Sequence, residues 1–267
     1  MADILQVGDK GEQVVKLQQA LLAKLFNPGD IDGTFGDGTR SAVLAFQKSN
    51  NLLADGVAGP RTQKALGLEQ SDALPDSTGL MSVQVASQMC PGAPLGNIKA
   101  NLPIVLNSLS KFDIGHRPMM LMAVATIRAE TGAFLPISEG RSKYNSSPSG
   151  HPFDLYDSRA DLGNQGPPDG ALFKGRGFIQ LTGRHNYAKY GAKLPTPVDL
   201  VGNPELANAA SIAGDLLALF LSDKEVAIKA ALLEGDLKHA RRLVNGGSHG
   251  LDDFTSAYDI GNKLLPP

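Results

Sequence analysis

The sequence has no tryptophan, a single cysteine, no long apolar run and almost no net charge. Each absence closes a class of answers. Cys90 is the only thiol, so no disulfide can form within the chain and the fold does not depend on an oxidising compartment. The longest apolar stretch, Met119 to Ile127, has nine residues, against the roughly 20 needed to span a bilayer, and reads as a core helix. The formal charge of −2 leaves no basic footprint for nucleic acid or an anionic membrane. The N-terminal MADILQVGDKGEQVV lacks the basic start and apolar stretch of a secretory signal.

What is present is a globular composition, 42% hydrophobic and 19% charged, in 267 residues. That length suits two cores. Near the N-terminus the segment Asp32-Gly-Thr-Phe-Gly-Asp-Gly-Thr39 recurs as Asp55-Gly-Val-Ala-Gly-Pro-Arg-Thr62, an offset of 23. In each copy Asp-Gly suits a tight turn and Thr a helix cap, which predicts helices from near Ser41 and Gln63. A preceding helix carries Val14, Leu17, Leu21 and Leu22 or Leu25 on one face. Three short helices make a first domain over 1–67. The polar LEQSDALPDSTG at 68–79 reads as a linker, and 80–267 as a second domain.

That second domain is predominantly helical by pattern, with helices expected near 82–89, 101–112, 117–131, 182–191, 204–222, 224–234 and 236–244. Between Ser138 and Gly175 runs a long stretch rich in Gly, Pro and Ser, of the kind that is usually functional or disordered. A short hairpin within 138–180 is easily hidden there. Glu130 closes the apolar helix and is followed by the stop Thr131-Gly132. The negative end of the helix dipole favours its protonated form, as a general acid requires. An ordinary surface glutamate fits the same pattern.

Several motifs in order resolve that choice. Leu5-x-x-Gly-Asp-Lys-Gly-x-x-Val14-x-x-Leu17-Gln18, Asp32-Gly-x-Phe-Gly-x-x-Thr39, Ala45-Phe46-Gln47 and Asp55-Gly-x-x-Gly59 resemble the three-helix peptidoglycan-binding module of wall hydrolases. Ala129-Glu130-Thr131-Gly132-Ala133-Phe134, Ser138-Glu139-Gly140, Tyr144-Asn145, Lys174-Gly175-Arg176-Gly177-Phe178-Ile179-Gln180-Leu181-Thr182-Gly183-Arg184-His185-Asn186-Tyr187 and Val244-Asn245-Gly246-Gly247 resemble lysozyme-like glycoside hydrolase family 19, to which chitinases and phage endolysins belong. The resemblance implies a mainly α architecture, a small binding module followed by a lysozyme-like helical catalytic domain. It also departs from the family, whose members often carry His before the acid and Gly-Gly after the Thr, where this chain has Ala129 and Gly132-Ala133.

By the resemblance, Glu130 corresponds to the general acid and Glu139 to the second carboxylate and base. Asp154, Asp157, Asp161 and Asp169 in the same loop remain alternatives to Glu139. Gln180, Thr182, Asn186 and Asn245 match positions that bind sugar or hold water, and Thr182 also suits a helix cap. Without tryptophan, sugar stacking falls to Tyr144, Phe173, Phe178, Tyr187 and Tyr190, Phe178 being better placed in the core. In the first domain, Asp32, Asp37, Gln47 and Asp55 are the candidate polar lining of a wall-binding groove. Arg176 and Arg184 suit solvent or local carboxylates. His185 has no ligand-spaced partner, and no metal or cofactor is expected.

The function this implies is that of an endolysin, a muramidase-type hydrolase of the β-1,4 glycan backbone of bacterial peptidoglycan acting as a monomer. A chitinase or an inactive wall-binding structural protein are the alternatives. A lysin without a secretory signal accumulates in the host cytoplasm and reaches the wall through holes made by another protein.

Overall fold

The computed structural model describes residues 4–68, 74–247 and 250–266. The chain divides into two compact units, 1–74 and 75–267, each with its own buried hydrophobic cluster. Five residues of the expected linker, 69–73, lie outside the described residues. Its end does not behave as a linker. Asp76 Oδ2 accepts the Ser110 hydroxyl and Ser77 N donates to Gly115 O at 2.9 Å, so these residues are anchored on the second unit.

In the first unit, helices α1 (Glu12–Ala23), α2 (Asp37–Ser49) and α3 (Pro60–Ala65) enclose Val14, Leu17, Leu21, Phe35, Val43 and Phe46. Leu22 and Leu25 face outward, the latter 93% exposed. The helices α2 and α3 start earlier than Thr39 and Thr62 suggested. Gly36 and Gly59 stand at their N-caps, and both threonines are buried within the first turn.

The reason lies in two glutamines. Gln18 Nε2 donates to Asp32 Oδ1, Thr34 O and Thr39 Oγ1, and its Oε1 accepts Gly33 N. Gln47 repeats the set with Asp55 Oδ1, Val57 O, Thr62 Oγ1 and Gly56 N. The sequence repeat is thus a repeated turn, each copy tied to a buried glutamine amide whose own polar atoms are satisfied by the turn.

The second unit is built around α6 (Arg117–Thr131), whose residues from Met119 to Ile127 are all buried. Pro118 near its start and Gly132, at φ 62°, beyond its end set its limits. It follows α4 (Val83–Met89), capped by Ser82, and α5 (Leu95–Lys111), which begins after Pro94 and runs through Pro103. Two-residue strands β1 (Ile137–Ser138) and β2 (Arg176–Gly177) pair antiparallel, Ile137 opposite Gly177 and Ser138 opposite Arg176, with the short α7 (Asp169–Leu172) between them in sequence.

Then come α8 (Arg184–Lys193), α9 (Ala210–Ser222), α10 (Glu225–Leu233) and α11 (Leu237–Asn245), followed by α12 (Leu251–Leu264), which the pattern reading missed. The expected helix at 204–222 is split, Pro204–Asn208 being a separate 3-10 turn. Helices α4, α9, α10 and α12 pack on α6. Gly261 lets α12 come close, since a Cβ there would sit 2.5 Å from Leu121. The fold is mainly α among the described residues.

Candidate active site

Glu139 follows directly on β1, and the strand pairing fixes its backbone, its N–H donating to Gly175 O at 2.8 Å. Three donors hold its carboxylate. Asn145 Nδ2 reaches Oε1 at 2.8 Å, the Tyr156 hydroxyl reaches the same oxygen at 3.0 Å, and Gly175 N reaches Oε2 at 3.1 Å. Burial, and then the neighbouring charge of Glu139, push the Tyr156 phenol up to about 12, so near neutral pH it is a donor. Neither Asn145 nor Tyr156 was singled out by the sequence reading as a site residue.

Gly175 is the hub of this corner. A Cβ there would lie 2.8 Å from Gln180 Oε1, 3.2 Å from Glu139 Oε2 and 3.3 Å from Thr182 Oγ1. Only a residue without a side chain lets these groups converge. Gln180, in the left-handed region at φ 52°, donates to Ile137 O at 2.9 Å and Gly177 O at 3.1 Å.

Thr182 does not cap α8: its hydroxyl donates to Gln180 O at 2.9 Å, and Gly183 occupies the N-cap. Asn186 Nδ2 donates back to Thr182 O at 2.8 Å. The segment as a whole is anchored by Arg176, 2% exposed, which donates to Leu172 O, to the Tyr187 hydroxyl and to Glu205. Gln180 and Thr182 therefore join Glu139 in one corner, while Asn186 braces it from α8.

Glu130 stands at the end of α6, its side chain 13% exposed, with Oε1 2.8 Å from Nη1 of Arg241. Arg241, on α11, is wholly buried and lies over the Phe254 ring, 5.8 Å from its centroid. The helix end favours a neutral carboxyl, as expected from the sequence, but the guanidinium stabilises the anion, an opposing influence no local pattern announced. Asn245 closes α11, its Oδ1 accepting Gly247 N at 3.0 Å.

The alternative aspartates are engaged elsewhere. Asp154 accepts Ser147 N and Oγ, and buried Asp157 accepts Gly170 N and pairs with His151. Asp161 pairs with Arg159. Asp169, 2% exposed, is gripped by Arg184 at 2.6 and 2.7 Å, which holds its carboxyl below the usual range. Four of the five aromatic candidates, Phe173, Phe178, Tyr187 and Tyr190, are core residues at 0 to 2% exposure and present no face to a sugar. Tyr144 remains, 74% exposed.

In the first unit the structure removes Gln47 from the expected groove lining and leaves Asp32 and Asp55 exposed in the turns. Gln47, 1% exposed, faces inward, and Asp32 and Asp55 each accept a glutamine amide and the N–H of the residue two positions on. Those hydrogen bonds, Gln18's first, hold the Asp32 carboxyl below its ordinary value. These three residues build the turns. Asp37, exposed at the start of α2, has no such duty.

Residues 10–66 match the family described as "Putative peptidoglycan binding domain". A "Probable N-acetylmuramoyl-L-alanine amidase" of Bacillus licheniformis is 42% identical over 72 residues, 26% of this chain and 20% of the relative. The chain thus spans about a fifth of that relative's length. A "Glycosyl hydrolase family 19 domain-containing protein" of Haemophilus influenzae is 28% identical over 119 residues, 43% of this chain and 54% of the relative. The solved chitinase C of Streptomyces griseus HUT6037 aligns over 70% of this chain and 79% of its own at 18% identity, with a TM-score of 0.45.

Proposed function

We propose that this modular chain, a peptidoglycan-binding domain followed by a unit similar to glycoside hydrolase family 19, is a cell-wall hydrolase that cuts the β-1,4 glycan backbone of peptidoglycan, as a muramidase of the endolysin type does. The observation that carries the reading is Glu139, a carboxylate held by three donors beside Gln180 and Thr182 and nine residues beyond Glu130. Glycoside hydrolysis needs two carboxyl groups with different duties.

Glu130 gives its proton to the glycosidic oxygen as the bond to the anomeric carbon breaks. Glu139 takes a proton from the water whose oxygen bonds to that carbon. Arg241 stabilises the carboxylate that Glu130 becomes. Amide and hydroxyl groups of Gln180 and Thr182 suit sugar hydroxyls and N-acetyl groups.

The test is digestion of purified murein and of chitin side by side, with mass spectrometry of the products to show which sugar carries the new reducing end. Reducing-end muramic acid from murein, with chitin left intact, supports the reading. Faster cutting of chitin turns it into a chitinase, and no cutting of either favours a wall-binding structural role.

A further inference from the structure

Two residues beyond Glu139 the chain turns through Arg141, Ser142 and Lys143, which with Ser146, Ser147 and Pro148 line an open depression of about 360 Å³. Its only charged lining residues are cations. Both are exposed, and neither has a carboxylate within ion-pair distance among the described residues. The Lys143 ammonium lies 5.1 Å from the centroid of the exposed Tyr144 ring. The carboxylate bonded to this wall, Asp154, is turned onto the loop's own donors at Ser147.

The depression is fixed to the catalytic corner by one side chain. Asn145 accepts Ser142 N at 2.8 Å and the Ser146 hydroxyl at 2.9 Å through Oδ1, while its Nδ2 holds Glu139. The two cations therefore stand on a loop braced by the same amide that orients the carboxylate. Unpaired cations on a preformed wall favour an anionic ligand, and the cost of ordering the loop is already met by the fold.

A neutral β-1,4 glycan such as chitin offers these cations nothing. Peptidoglycan carries peptide substituents with free carboxylates on alternate sugars. Resting on the function proposed above, we infer that Arg141 and Lys143 form a subsite for the stem-peptide carboxylates and select carboxylated over neutral glycan.

The experiment compares the full-length chain with the Arg141→Gln/Lys143→Gln double variant on murein with free carboxylates and on the same murein after its carboxylates are converted to amides. Partly exposed ion pairs are individually modest, so the double variant should raise KM on free-carboxylate murein roughly five- to tenfold at low salt. The loss falls on KM and shrinks as salt is added. On amidated murein the two proteins should coincide. Equal KM on free-carboxylate murein, or a deficit that persists undiminished on amidated murein, overturns the subsite.

If the wild-type chain cuts neither form, the proposed function fails by itself and binding decides the subsite. A soluble disaccharide-tetrapeptide is then titrated into isotopically labelled full-length chain. Saturable shifts of the amides from Arg141 to Ser147 that vanish in the double variant uphold the subsite, and their absence overturns it.

Discussion

The Asn145 side chain, with no solvent exposure, donates to Glu139 Oε1 at 2.8 Å and to Gly140 O at 2.9 Å. A residue so placed is part of the carboxylate's setting. Removing it with Asn145→Ala leaves buried partners unsatisfied, which costs about 1–3 kcal/mol of stability. Tyr156→Phe removes a single donor from the same oxygen and almost no volume, so it should lower the hydrolysis rate about three- to tenfold while the melting temperature moves by only a few degrees. An unchanged rate in Tyr156→Phe would take Tyr156 out of the site.

Glu130→Gln and Glu139→Gln are nearly isosteric, and each should reduce murein hydrolysis by at least about 100-fold with folding and wall binding intact. Azide should restore part of the Glu139→Gln activity if water activation on an inverting path is what was lost. Lysis by folded Glu130→Gln within a few-fold of wild type contradicts its role as acid.

Arg184 and Asp169 make the acid dependence of stability legible. The guanidinium holds the Asp169 carboxyl below its ordinary value, so the folded form binds its proton less readily than the unfolded chain. The contribution is therefore present above the unfolded value of about 3.9 and is lost as pH falls through the lower folded value. Arg184→Gln should cost about 3 kcal/mol near neutral pH by leaving a buried charge unpaired, and should lose less on acidification than wild type does. Parallel stability curves from pH 7 to 2 would contradict this.

Gln47→Leu strips the second turn of its central amide and should destabilise the first unit by about 2 kcal/mol. In calorimetry one transition should fall by several degrees while the other stays in place. A shift of both transitions would mean that the two cores melt as one.

What the sequence made legible is what local chemistry decides. The span of α6 follows from Pro118 and Gly132, and the convergence of Glu139, Gln180 and Thr182 agrees with motif positions. The misses have physical causes. The stripe of α12 rests on Phe254, Ala257, Tyr258 and Gly261, where two small residues weaken the apolar signal and an aspartate-rich first turn hides it. The repeated Asp-Gly turns read alike whether the loop is free or tied inward by a buried amide. What separates the two cases is Gln18 and Gln47, which sit outside the repeat and act through long-range hydrogen bonds. Arg241 meets Glu130 across more than a hundred residues of chain, a distance no spacing rule reaches.

The three donors on Glu139 also set a limit by simple counting. An ionised carboxylate offers about four lone-pair sites, and Asn145, Tyr156 and Gly175 take three. One more bond can be accepted well, and on Oε2, since the other oxygen is already saturated. A group so nearly filled cannot serve a disordered cluster of solvent. It can align one molecule along one direction, and under the proposed hydrolysis that directionality would decide which face of the sugar ring is attacked.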